Sequence, residues 1–309
     1  MIVLLIVPLL VPFAAPLLAH RAVERFNPVT ALWALTGAAV ALALSSLVSL
    51  GTLLLAGALK VSVLARLGEL IHPLDVAPRS VLYPATALAT GALSVCAWTL
   101  SRWASRQLRQ LRSARHEVDA RPLAGDLCVL DAAHADAYAL PGNPDRIVVT
   151  TGMLRALGPA EREVLFAHER AHLAGRHHYF LAAADLAAHC HPGLRRLRGA
   201  VALTVERAAD EAAAAATGDR RLTARAVARA ALASRGASPA RPFFAPAATS
   251  GPVPKRVEAL LRAPARGRLV PALLVLLILC ATASAAGALT GVVSLHRSVE
   301  IAQGEKPGH

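Results

Sequence analysis

Four stretches of the chain carry no charged residue, and a polar segment, residues 102–268, lies between the third and the fourth. The uncharged runs are residues 2–19, 29–59, 81–101 and 269–295. A helix needs about 20 apolar residues to cross the hydrocarbon core of a bilayer. The pattern therefore predicts four membrane helices, at about 2–19, 30–58, 81–101 and 269–295, followed by a short external tail, 296–309. Pro8, Pro12 and Pro16 interrupt the first run. Each frees a backbone carbonyl that neighbouring helices must satisfy. The first run also suits a cleaved signal peptide, but no Lys or Arg precedes it and Arg21 and Arg25 follow it, the order of an anchored helix.

The polar segment changes its period along its length. Residues 102–117 continue the third run as an Arg-striped helix. Residues 128–131, with Val129, and 146–151, β-branched at five of six positions, lie between turn-rich flanks and predict short strands. Pro141-Gly142-Asn143-Pro144 is a turn cluster that follows residues 137–140. A hairpin or sheet edge results, on which an extended peptide could be held by strand addition. Gly158-Pro159 opens a helix with Glu161 and Glu163 in its first turn. Residues 179–188 form a short apolar stretch, too short to span, that reads as a buried or interfacial helix. Helices follow over 201–216, with Gly218 as C-cap, and over 222–234. Residues 235–254, rich in Ala, Pro, Ser and Gly, read as a mobile loop. No internal repeat is present.

Composition and charge bound the function. The chain has 309 residues, 55% hydrophobic composition, mean hydropathy +0.47 and net charge +13, too apolar for an ordinary soluble domain. Its basic residues crowd the membrane edges. Arg102, Arg106, Arg109, Arg112 and Arg115 follow the third run, and Lys255, Arg256, Arg262, Arg266 and Arg268 precede the fourth. The positive-inside rule then places residues 102–268 in the cytoplasm and both termini outside. The 60–80 loop falls outside against the sense of Lys60, Arg66 and Arg79. Anionic lipid headgroups account for the flanking charge. Nucleic-acid binding is disfavoured, since the sequence has neither aromatic interleaving nor zinc-finger spacing. Cys96, Cys128, Cys190 and Cys280 form no C-x-x-C pair. His189-Cys190-His191 are adjacent on a helix and point different ways, which favours ordinary packing over metal binding.

The chemistry concentrates at His168-Glu169-Arg170-Ala171-His172, an H-E-x-x-H on a helical run. Residues four apart share a helix face, so the two imidazoles can hold one Zn²⁺. Glu169 can then act as general base on a water whose pKa the metal lowers. Peptide-bond hydrolysis is the chemistry this arrangement predicts. A pair of solvated histidines is the plainer alternative. A catalytic zinc needs a third ligand, and two residues compete. His168 to His178 spells H-E-x-x-H-x-x-G-x-x-H, the metzincin pattern, but the only methionines, Met1 and Met153, lie upstream, where no Met-turn can form. The other candidate is Glu206 in Glu206-Arg207-Ala208-Ala209-Asp210. Asp210 shares its face and could accept a hydrogen bond from a ligand imidazole.

H-E-x-x-H followed by E-x-x-A-D resembles the gluzincin membrane peptidases of the HtpX type and the BlaR/MecR type. The segments 137–142 and 147–154 are similar to their edge-strand region, 164–172 to their zinc helix, His191-Pro192 to a short segment before the Glu helix, and 255–261 to the segment that closes the catalytic domain. The likeness covers roughly residues 130–262. It implies a multi-pass α-helical membrane protein with a cytoplasmic α+β zincin-like metalloprotease domain. It further implies His168, His172 and Glu206 as zinc ligands, Glu169 as general base and Asp210 supporting a ligand. The partner it implies is a protein substrate at the cytoplasmic membrane face, such as a transcriptional repressor. The BlaR type carries an external penicillin-binding sensor after its fourth span. Here only the short segment His296 to His309 follows the fourth run, with no S-x-x-K motif, so direct β-lactam sensing is not expected.

Overall fold

The computed structural model describes residues 2–25, 27–60, 77–235, 252–262 and 270–303. Helices α1 (Ile2–Arg25), α2 (Pro28–Ala58) and α3 (Arg79–Asp119) come first. A small sheet follows, with β1 (Leu123–Ala124), β2 (Leu127–Leu130), β3 (Ala137–Leu140) and β4 (Arg146–Thr150). The remaining helices are α4 (Thr151–Ala156), α5 (Pro159–Ala174), α6 (His177–Cys190), a 3₁₀ turn at Pro192–Leu194, α7 (Arg195–Thr217), α8 (Arg220–Ala233), α9 (Val253–Leu261) and α10 (Val270–Ala302). The predicted 60–80 and 235–254 loops lie mostly outside the described residues.

Among the described residues, three helices are long and apolar enough to cross a membrane: Pro28–Ala58, Arg79–Asp119 and Val275–Ala302. The first predicted span is helical, but its described apolar part, Val3–Ala14, is shorter than a span. The helix of the third run continues without a break through the Arg-striped segment, as read from the sequence, and ends at Asp119, while the helix of the fourth run extends past residue 295 to Ala302.

The strand order is β1-β2-β4-β3. β3 pairs antiparallel with β4 as the predicted hairpin, and β2 pairs parallel with β4. β3 is thus an edge strand, and α5 packs beside it. Parallel pairing of β2 with β4 requires a crossover, and the segment 131–145 supplies it through β3.

The candidate membrane helix α2 and the site-bearing helices share one hydrophobic core. Leu32, Leu35, Ala39 and Leu42 of α2 cluster with Leu181 and Ala184 of α6 and with Leu197, Val201 and Val205 of α7. The buried Asp185 of α6 is paired with Arg198 of α7 at 2.6 Å, which fixes these two helices on one another. The first half of α2 therefore packs against α6 and α7.

Helix α1 ties the two halves together. In an α-helix each N–H bonds the carbonyl four residues back, so Pro8, Pro12 and Pro16 free the carbonyls of Leu4, Pro8 and Pro12. Each freed group meets a neighbour. Ser46 Oγ of α2 lies 2.8 Å from Pro8 O and 2.9 Å from Leu42 O of its own helix, one proton serving both. Gly287 of α10 lies against Leu4 O, and a Cβ there would come within 3.0 Å of it. Gly193 in the 3₁₀ turn lies against Pro12 O, and a Cβ there would come within 2.9 Å. His191 Nε2 donates to Leu9 O at 3.0 Å, and its ring meets Phe13 edge-on. These contacts also settle His189-Cys190-His191 as packing residues, since His189 Nδ1 bonds Asp185 O within its own helix.

Ser46→Ala should leave Pro8 O buried without its cross-helix donor and destabilise the protein by about 1–3 kcal/mol. Ser45→Ala is the control, because Ser45 Oγ bonds Ala41 O of its own helix. Thermal unfolding in detergent should show a clear drop for Ser46→Ala and little change for Ser45→Ala. Equal midpoints for the two variants would mean that α1 does not dock through Pro8.

Candidate metal centre

The motif helix α5 begins where the sequence predicts. Gly158 is extended, Pro159 takes the first helical position, and the Glu161 carboxylate accepts from Gly158 N at 2.9 Å. Glu161 is buried and also receives Arg229 at 2.8 Å, which anchors α5 to α8. The helix ends at Gly175, and Arg176 at φ +49° turns the chain into α6. Helix α7 ends at Gly218, with φ +70°, and Asp219 caps α8 by accepting from Leu222 N. Glu206 and Asp210 are one turn apart on α7 and both face α5.

His168, Glu169, His172, Glu206 and Asp210 are all buried, none more than 2% exposed. His168 Nε2 and His172 Nε2 lie 3.0 Å apart. Glu206 places Oε2 3.6 Å from His168 Nε2 and Oε1 3.8 Å from His172 Nε2. The three candidate ligand atoms lie within 4.8 Å of one another, a grouping that could hold a metal ion. Asp210 Oδ1 is 3.1 Å from His168 Nδ1, on the far side of the ring from that grouping. His178 is not part of it. It lines a cavity with Leu173, Tyr179 and Ala182.

Two residues of the centre escaped the reading of the sequence. The first is Arg256, grouped there with the basic membrane flank. It is fully buried on α9 and bridges Glu206 and Asp210. Its Nη1 lies 3.1 Å from Glu206 Oε2, and its Nε and Nη2 lie 2.8 and 2.7 Å from Asp210. Arg220 fixes α9 for this role. It pairs with Glu211 of α7 and donates to the carbonyls of Leu260 and Ala259 at 2.9 and 3.2 Å. A signal for Arg256 did exist: it occupies, with Val253, Val257 and Leu260, the i, i+3, i+4, i+7 stripe that faces the core. The second is His177, whose Nδ1 is 2.8 Å from His172 Nδ1.

Charge explains why the donors suit a divalent cation. Glu169, Glu206 and Asp210 bring three carboxylates into a buried cluster, against the one guanidinium of Arg256. That surplus of negative charge calls for further positive charge away from water, which a divalent cation would supply and which a protonated His168 supplies in part without one. The nitrogen, nitrogen and oxygen donor set is one that Zn²⁺ accepts. The same field acts on the histidines. Burial opposes charge on His168, yet Asp210 and Glu206 outweigh it and lift its pKa to about 9. His172 is held well below the ordinary value by burial, then by His168, His177 and Arg256. Burial, then His168, brings His177 down to about 4. At Asp210 burial is outweighed by hydrogen bonds from Arg256 and His168, leaving a pKa of about 2.

Arg256→Met keeps much of the side-chain volume and removes the charge. It should destabilise the fold by about 3–5 kcal/mol, the usual consequence of leaving a buried ionic partner uncompensated. Melting of the purified full-length protein measures this. A change below about 1 kcal/mol, the scale of an exposed pair, would mean that Arg256 does not hold the two carboxylates together.

No curated protein and no solved structure matches this chain. The family model described as Peptidase family M48 does match, over residues 101–191, a stretch that runs from the tail of α3 through the sheet and the motif helix to the end of α6. Over that stretch, which holds His168 and His172 but ends before Glu206, the chain is similar to Peptidase family M48.

Proposed function

We propose that this chain is a membrane-embedded, zinc-dependent endopeptidase that cleaves a protein substrate at the cytoplasmic face of the membrane. One observation carries the reading: His168, His172 and Glu206 converge on one another, and Glu169, next to His168 in the chain, is buried with them and close enough to act on Arg256. These three side chains would hold the ion, and Asp210 would orient His168. When bound, Zn²⁺ polarises the scissile carbonyl and lowers the pKa of water. Glu169 takes the proton of the attacking water on its carboxylate and passes it to the leaving amine.

The surroundings suit an extended peptide. β3 is the edge strand beside α5, placed for strand addition. A cavity of about 530 Å³ opens where β3 ends, with Leu173, Tyr179 and Ala182 on its walls beside Asp145, Arg176 and His178. Its mixed walls offer room for part of such a peptide. The basic flanks on α3 and before α10 support a cytoplasmic domain held against anionic lipid. The resemblance to the BlaR/MecR type favours a regulatory substrate, such as a repressor. The HtpX-like reading, clearance of damaged membrane proteins, is the alternative within the same chemistry. A third reading keeps zinc only as a structural element of a membrane scaffold, and buried Glu169 beside the ligands speaks against it.

Glu169→Gln should keep the metal and lose peptidase activity by a factor of about 10² or more. Comparing the proteins that accumulate in Glu169→Gln cells with wild type then separates the readings. One or a few soluble targets indicate regulation, and many membrane proteins indicate quality control. An unchanged proteome with unchanged cleavage rates would leave only the scaffold. Chelation should abolish cleavage in wild type, and added Zn²⁺ should restore it.

A further inference from the structure

His172 Nε2 faces His168 Nε2 and the Glu206 carboxylate. Its other ring nitrogen faces away, 2.8 Å from His177 Nδ1. Both rings are buried and stand nearly perpendicular, at 81°. Two Nδ1 atoms at that distance share one proton, so one ring donates and the other accepts. The ligand role of Nε2 decides which. A neutral imidazole that offers its Nε2 lone pair to a metal carries its proton on Nδ1. His172 therefore donates, His177 Nδ1 accepts, and the proton of His177 sits on its Nε2.

The backbone makes room for this partner. Arg176, in the left-handed region, reverses the chain and brings residue 177 back over the end of α5. Gly175 lies beneath the returning ring. A Cβ there would come within 2.5 Å of His177 Nε2 and 2.8 Å of Cδ2. Gly175 has an ordinary φ of −77°, so its backbone does not require glycine; the ring of His177 takes most of the space, with Ala171 O at 3.0 Å from the same Cβ.

We propose that His177 is the positioning residue for the second metal ligand, fixing the tautomer and ring orientation of His172 as Asp210 does for His168. This rests on the zinc reading above. The two ligands are thereby supported unequally. His168 leans on a carboxylate that Arg256 already neutralises, and His172 leans on an uncharged ring. An anionic partner at 177 would add a further negative charge to a cluster whose balance a divalent ion already completes.

Zn²⁺ affinity of the purified full-length protein, measured by competition with a chromogenic chelator, tests the proposal without relying on activity. His177→Phe retains a buried ring and removes the acceptor, and it should weaken zinc binding by about 10–100-fold. His177→Asn puts Oδ1 close to the place of Nδ1 and should bind within a few-fold of wild type. Gly175→Ala pushes the His177 ring away and should weaken binding in the same direction as His177→Phe. Rescue by Asn separates positioning from packing. If Phe binds zinc as tightly as wild type, or if Asn loses as much as Phe, the proposal is wrong. If wild type itself binds no zinc, the metal reading fails first and the inference falls with it.

Discussion

The buried ion cluster of Arg256, Glu206 and Asp210 is the constraint on which the rest of the centre depends. Two carboxylates one turn apart on α7 would repel each other in a low-dielectric interior. One guanidinium, with both its terminal nitrogens and Nε engaged, holds them in a single geometry. That geometry points Glu206 at the two imidazoles and Asp210 at the outer nitrogen of His168. It also demands that α9 be pinned where the arginine can reach, and Arg220 supplies the pin through the carbonyls of Leu260 and Ala259. Buried ion pairs of this kind contribute little net stability and much geometric specificity. Here that specificity orients a donor set.

The same helix α7 is part of the hydrophobic core formed with α2. Val205 lies in that core and its neighbour Glu206 lies in the metal centre, so the membrane-helix core and the donor carboxylate meet at adjacent positions of one helix. Helix α1 adds a second attachment through His191 and Gly193, just ahead of α7. The candidate centre is thus built on the packing of α2 against α6 and α7.

What the sequence made legible was local. The H-E-x-x-H spacing needs only one helix, and Gly158-Pro159 marks its start. The hairpin was readable because Pro141 to Pro144 form a turn cluster between two short β-branched or apolar runs. Gly218 announced the end of α7. Glu206 lies far beyond His172 in the chain, and no helical period connects them, so the missing Met-turn and the resemblance were needed to favour it over His178. Arg256 was hidden because its neighbours are basic and precede an apolar helix, the usual look of a membrane flank. Its burial is a tertiary fact, visible only once α9 packs on α7 and α8. His177 was hidden because its partner lies around a chain reversal that depends on a left-handed Arg176. The continuity of the core across α2, α6 and α7 was missed for a related reason: an apolar face looks the same whether lipid or protein covers it.

Zinc K-edge X-ray absorption on the purified full-length protein tests the central claim most directly. The expected result is one Zn²⁺ per chain, with two imidazole nitrogens and a carboxylate oxygen at about 2.0–2.2 Å, and loss of that oxygen shell in Glu206→Gln. A shell of three imidazoles that vanishes with His178→Ala, or a protein that takes up no zinc on reconstitution, would contradict it.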